Sequence, residues 1–82
     1  MNENMSKTDK LDELRRRSSN FNDGIYCYYK DNDFYIYPFI EDLIVVFHNR
    51  KSYPFRDFDE MISNPFLNGN ETIIDNLDDI TW

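Results

Sequence analysis

The residues that could do chemistry are few, and their spacing limits each of them. His48 is the only histidine, so a zinc centre has no second imidazole to draw on. It stands between an apolar run and an Asn-Arg pair, which points to a surface position at a hairpin tip. Cys27 is the only cysteine. No basic residue adjoins it to stabilise a thiolate. It alternates with tyrosines in an inward register, as a small buried hydrophobe would. Asp31-Asn32-Asp33 opens like a calcium loop, but Ile36 stands where that loop needs glycine and Asp42 where it needs glutamate. The triplet reads as a turn. The pairs Glu41-Asp42 and Asp78-Asp79 could serve acid–base chemistry. No nucleophile stands beside either, and a chain of 82 residues offers little depth for a pocket. Arg15-Arg16-Arg17 is the one basic cluster. Asp12 and Glu13 precede it and no aromatic interleaves, so it reads as the C-terminal end of a helix rather than a phosphate or RNA site. These readings point away from catalysis, and they call for no cofactor and no metal.

Two patterns point to binding instead. Tyr26, Tyr28, Tyr35 and Tyr37 fall at spacing two in neighbouring segments, which places them on one face of a hairpin. If a helix covers that face it is core; if it is open, it is an amphipathic surface of the kind enriched at interfaces. Near the C-terminus, Glu71, Asp75, Asp78 and Asp79 share the polar side of an amphipathic pattern, with Trp82 beyond them. The plain reading is a solvated helix face. The sharper one is a carboxylate row that imitates nucleic-acid phosphate and occupies a basic groove, with Trp82 as an aromatic anchor.

The elements that would hold these residues can be read in order. Residues 1–5 suit disorder. Ser6 can cap a helix over residues 6–17, with Asp9, Asp12 and Glu13 early and the three arginines late, as the helix dipole favours; its apolar stripe is Leu11 and Leu14. Asn20, Asn22, Asp23 and Gly24 break the chain. An antiparallel sheet follows over residues 24–56. Its first hairpin turns at Asp31-Asn32 and sets Tyr28 opposite Tyr35, Tyr26 opposite Tyr37 and Lys30 opposite Asp33. The other face then pairs Tyr29 with Phe34, Cys27 with Ile36 and Ile25 with Pro38. After a link over residues 38–42, the strand 43–48 is apolar on both faces and so belongs inside the sheet or under cover. Asn49-Arg50 turns into the strand 51–55, which Pro54 assigns to an edge. Val46 then faces Tyr53, and Ile44 faces Phe55.

The remainder, residues 57–82, reads as an acidic helical tail. Asp57 with Glu60 caps a short helix over residues 58–63, and Pro65 stops it. Asn68-Gly69 turns, and Asn70 caps a last helix over residues 71–80. Its apolar face is Ile73, Ile74, Leu77 and Ile80. The expected fold is α+β: a four-stranded antiparallel meander of two hairpins, with a weak N-terminal helix and two short C-terminal helices.

Length permits a single domain with a thin core. Net charge is −7, and residues 57–82 carry seven acids and no base, which disfavours duplex DNA and anionic membranes as partners. No apolar run reaches the roughly 20 residues of a membrane span, there is no signal-peptide pattern, and a lone cysteine suits a reducing compartment. The expected location is the cytoplasm. Alanine and glutamine are absent, while Asn, Ile, Asp, Tyr and Phe abound, as AT-rich coding sequence produces in low-GC bacteria and their phages. The stretch YPFRDFDEMISNPFLNGNETIIDNL, beginning at Tyr53, resembles the tails of small proteins from such bacteria and their mobile elements. That likeness implies no activity and transfers no site residue. The functional expectation is a small acidic, non-enzymatic binding module for a protein partner, acting as a phage or mobile-element inhibitor of a nucleic-acid-processing protein. The alternative is a structural or accessory subunit that homodimerises through the tyrosine face or an edge strand.

Overall fold

Alternating apolar residues build the centre of the molecule. A computed structural model describes residues 6–21 and 23–82; the expected disorder of residues 1–5 and the breaker Asn22 lie outside them. The strands β1 (Ile25–Tyr29), β2 (Phe34–Ile40), β3 (Leu43–His48), β4 (Lys51–Phe55) and β5 (Ile80–Thr81) form one antiparallel sheet in the order β4-β3-β2-β1-β5. Side chains alternate between the two faces of such a sheet. Ile25, Cys27, Tyr29, Phe34, Ile36, Ile44, Val46 and Phe55 all point into one buried core. The helices α1 (Lys7–Arg17) and α2 (Phe58–Ser63) and a 3-10 helix (Ile74–Asp79) contribute Leu14, Phe58, Met61, Ile62 and Leu77 to that same core. All three therefore cover the same face of the sheet. The fold is α+β, as the sequence implies.

Local chemistry explains the helix ends. The Ser6 hydroxyl accepts from the Asp9 amide at 3.1 Å, and the three arginines close the last turn of α1, so cap and dipole act together. The Asp57 carboxylate accepts from the Glu60 amide at 2.8 Å, and Glu60 Oε1 accepts from the Arg56 amide at 2.7 Å. This is the expected reciprocal cap with its return bond one residue earlier. Asn64, before Pro65, has ψ 132° and ends α2, because proline excludes the helical region from the residue preceding it.

Four expectations change. The first hairpin turns at Lys30-Asp31, with Lys30 at φ 53° and the Asn32 amide donating to the Tyr29 carbonyl at 2.7 Å. Moving a turn by one residue slips the register by two, so each side chain keeps its face but changes partner. Tyr26 faces Tyr35, Cys27 faces Phe34 and Ile25 faces Ile36. The expected pairs Tyr28–Tyr35, Tyr26–Tyr37 and Lys30–Asp33 do not form. Second, β2 runs through Pro38 to Ile40 with a register shift between them. Pro38 is tolerated because β1 begins at Ile25, opposite Ile36, and leaves no partner beside the proline. The second hairpin holds as expected, with Val46 facing Tyr53 and Ile44 facing Phe55.

Third, the last helix is not an α-helix. The residues Ile74–Asp79 form 3-10 turns, with Asn76 out of helical range at φ −119° and ψ 18°. The Asn76 amide nitrogen donates to the Thr72 carbonyl at 2.9 Å, and its oxygen lies 3.0 Å from the Tyr29 hydroxyl. A side chain that bonds locally in this way competes with the helix ladder. Thr72, not Asn70, supplies the cap, its hydroxyl accepting from the Asp75 amide at 3.2 Å. Ile73, Leu77 and Ile80 are nevertheless fully buried: the non-helical Asn76 breaks the winding between Ile73 and Leu77, and Leu77 and Ile80 stand three apart, the spacing that 3-10 turns bring to one side. Fourth, among the described residues the sheet has five strands rather than four. Ile80 and Thr81 pair with Tyr29 and Tyr28, where they satisfy the otherwise bare edge of β1.

Candidate functional site

With every helix of the described residues on one face, the other face of the sheet is open among them. Tyr26, Tyr28, Tyr35 and Tyr37 lie on it, as their spacing requires, and the structure extends the group. Ring centroids are 5.2 Å apart for Tyr26–Tyr28, 6.1 Å for Tyr26–Tyr35 and 6.4 Å for the stacked pair Tyr35–Tyr37. Phe47 joins through Tyr35 at 6.3 Å, and Phe39 through Tyr37 at 5.9 Å. Six aromatic rings thus form one contiguous surface. Tyr26 and Tyr28 are 50% and 51% exposed, Phe39 45% and Phe47 46%; Tyr35 and Tyr37 are half-buried. Half-buried Leu43 and Val45 of β3 complete the apolar area.

Phe39 and Phe47 were missed as site residues. For Phe47 the signal was present in β3, whose apolar residues on both faces fit an interior strand with an apolar outer surface as well as a covered one; Phe39 falls in the segment read as a link, which the structure makes part of β2. Gly24 also has a role that reading it as a breaker missed. A β-carbon there would lie 1.8 Å from the Tyr35 hydroxyl oxygen. Its absence lets the Tyr35 ring end lie against the start of β1.

The acidic set is dispersed. Asp75, Asp78 and Asp79 are exposed, but Glu71 precedes the 3-10 turns and is engaged internally. It accepts a short hydrogen bond from the Tyr29 hydroxyl and another from Asn68 Nδ2 at 3.2 Å. The Tyr29 bond, followed by the Asn68 bond, holds the Glu71 carboxyl below its ordinary value, and the same contact raises the Tyr29 hydroxyl above its own. The Tyr29 proton is shared with the Asn76 oxygen. Trp82 is half-buried: its ring nitrogen donates to Glu13 Oε2 at 3.3 Å, and the Lys10 ammonium sits 5.6 Å over the ring. It fastens the chain end to α1. The five residues Glu71, Asp75, Asp78, Asp79 and Trp82 therefore do not form one row.

The remaining candidates are structural. His48 is buried, not at a tip. Its Nδ1 lies 2.9 Å from the Asp33 carbonyl, and its Nε2 accepts from the Asn68 amide at 3.1 Å. A carbonyl only accepts and an amide only donates, so these partners assign the neutral Nδ1–H tautomer. Both ring nitrogens are occupied: Nδ1 ties β3 to the residue before β2, and Nε2 ties it to the loop after α2. Burial pushes the Cys27 thiol up to about 12, far from a reactive thiolate. Arg15 bridges to Asp59 at 3.1 Å and lies 4.6 Å over the Phe58 ring, which ties α1 to α2. Among the described residues no group of three His, Cys, Asp or Glu side chains could hold a metal ion, and no helix is long and apolar enough to cross a membrane.

What the geometry provides is an uncharged aromatic platform on an antiparallel sheet. Comparison with family models, with curated proteins and with solved structures gave no match.

Proposed function

We propose that this chain is a small, non-enzymatic, cytoplasmic binding module that docks onto a protein partner through the open aromatic face of its sheet. One observation carries the reading: six rings in one contiguous group, four of them near half exposure, on a face that no helix of the described residues covers. Large rings lose little side-chain entropy on binding and bury much area, which is why they dominate binding hot spots. Inhibition of a nucleic-acid-processing protein fits such a module, since a chain of net charge −7 gains nothing from duplex DNA or an anionic membrane.

A second reading keeps the acidic groups as the docking element. Asp59, Glu60, Asp75, Asp78 and Asp79 are exposed in the helical layer and would suit a basic, nucleic-acid-binding groove. Affinity capture from native cell extract separates the two readings. The aromatic reading expects the Tyr28→Ser/Tyr35→Ser double variant to lose the partner while Asp75→Lys/Asp78→Lys retains it. The reverse pattern supports the acidic reading. Retention by both folded variants rules out both surfaces.

A further inference from the structure

We infer that the open aromatic face is covered by a second copy of this chain, the two sheets packing face to face across a twofold axis. The inference rests on the aromatic face being the docking surface, and it names the occupant. Three observations select a second copy.

The first is charge. The strand positions on this face are Tyr26, Tyr28, Tyr35, Tyr37, Phe39, Leu43, Val45, Phe47, Ser52, Pro54 and Thr81, and none is charged. A nucleic-acid stacking platform pairs its aromatics with Lys and Arg that follow the backbone, and this face has neither. The acids of α1, α2 and the 3-10 helix lie in the opposite layer. Two chains of net charge −7 can therefore meet by this face with the acids of the helical layer turned away from the contact. The approach is isologous, since the same patch serves on both sides.

The second is area. Tyr26, Tyr28, Phe39 and Phe47 each expose about half their surface. With the half-buried rings and the small residues of β4 and β5, two copies would bury on the order of 1,200 Å², taking roughly 150–250 Å² per full aromatic side chain. That is the lower bound of a stable, specific interface, which starts near 1,200 Å² in total.

The third concerns the competing mode, edge-to-edge strand addition. Both sheet edges are blunted. β4 carries Pro54, which cannot donate, and β5 is two residues long. Both are features that block strand addition. Face-to-face packing, with sheets about 10 Å apart, is the route left open.

Sedimentation velocity on the full chain, from micromolar to millimolar, tests this. Wild type should pass from the monomer mass to twice that mass with a dissociation constant on the order of 10 µM, the weak end for an interface of this size. Raising salt should tighten the dimer, because it screens repulsion between two acidic chains. Phe47→Asp should weaken association at least about tenfold, as loss of a central anchor does, with its circular dichroism and melting unchanged. The salt arm needs no variant, so it stands even if Phe47→Asp fails to fold. A wild type that stays monomeric at 1 mM (on the order of 100 times the expected constant), a dimer that loosens with salt, or a dimer indifferent to Phe47→Asp would each overturn the proposal. If the chain is monomeric and the tyrosine double variant still loses a captured partner, only the second copy fails and the docking reading stands.

Discussion

Glu71 illustrates how a residue's type and its role can diverge. By sequence it heads an acidic helix face; in the structure it holds the Tyr29 hydroxyl under the sheet. Its carboxyl lies below the ordinary 4.5, so the contact stabilises the folded chain above that pH and is lost as pH falls through the folded value. Glu71→Gln removes this dependence. The difference in urea midpoint between wild type and variant should be constant above about pH 5 and shrink as the solution is acidified below 4.5; a difference that grows with acid would contradict the assignment. Side-chain direction was legible along the strands because their period is two, and Cys27 and the tyrosines lie on the faces their spacing gives. The role of His48 was not. Its partners, the Asp33 carbonyl and the Asn68 amide, come from segments 15 and 20 residues away, and no local pattern encodes them.

Turns and caps show the same division among the elements. Asn49 and Arg50 both have positive φ, 51° and 66°, the geometry of a two-residue hairpin turn in which Asn-Gly is preferred. Arginine pays a steric cost there of roughly 1–2 kcal/mol that glycine escapes. Arg50→Gly should therefore raise the unfolding free energy by about 1 kcal/mol, read by urea titration. No gain would mean that the turn is not of this type. The caps Ser6 and Asp57 were legible because capping is local. The first hairpin's turn was misplaced by one residue because Asn32 looks like a better turn residue than Lys30. The last helix failed for a similar reason. Ile73, Leu77 and Ile80 fit a helical period, but Asn76 bonds Thr72 locally and meets Tyr29, and Ile80 and Thr81 find a strand edge. Whichever way the segment is wound, Leu77 is fully buried. Leu77→Ala should cost about 2–5 kcal/mol, a large part of the stability of a small domain, measured as a fall in denaturation midpoint. A midpoint matching wild type would show the segment undocked.

The whole molecule is a sheet with helices on one side and rings on the other. That asymmetry was the least legible feature. The sequence shows two apolar sheet faces and three short helical segments, and nothing local says how the helices divide between them. They all join one side because Leu14, Phe58, Met61 and Leu77 meet one core, which leaves Tyr26, Tyr28, Phe39 and Phe47 in solvent. Hydroxyl-radical footprinting of the dilute chain, read residue by residue by mass spectrometry, tests this arrangement most directly, because Tyr28 and Tyr29 are neighbours with opposite burial, 51% and 0%. The account predicts rapid labelling of Tyr26, Tyr28 and Phe47 with protection of Tyr29 and Phe34, and loss of labelling at the first three once the face is occupied. Protection of Tyr26 and Tyr28 in the dilute monomer, or labelling of Tyr29 as fast as Tyr28, would contradict it.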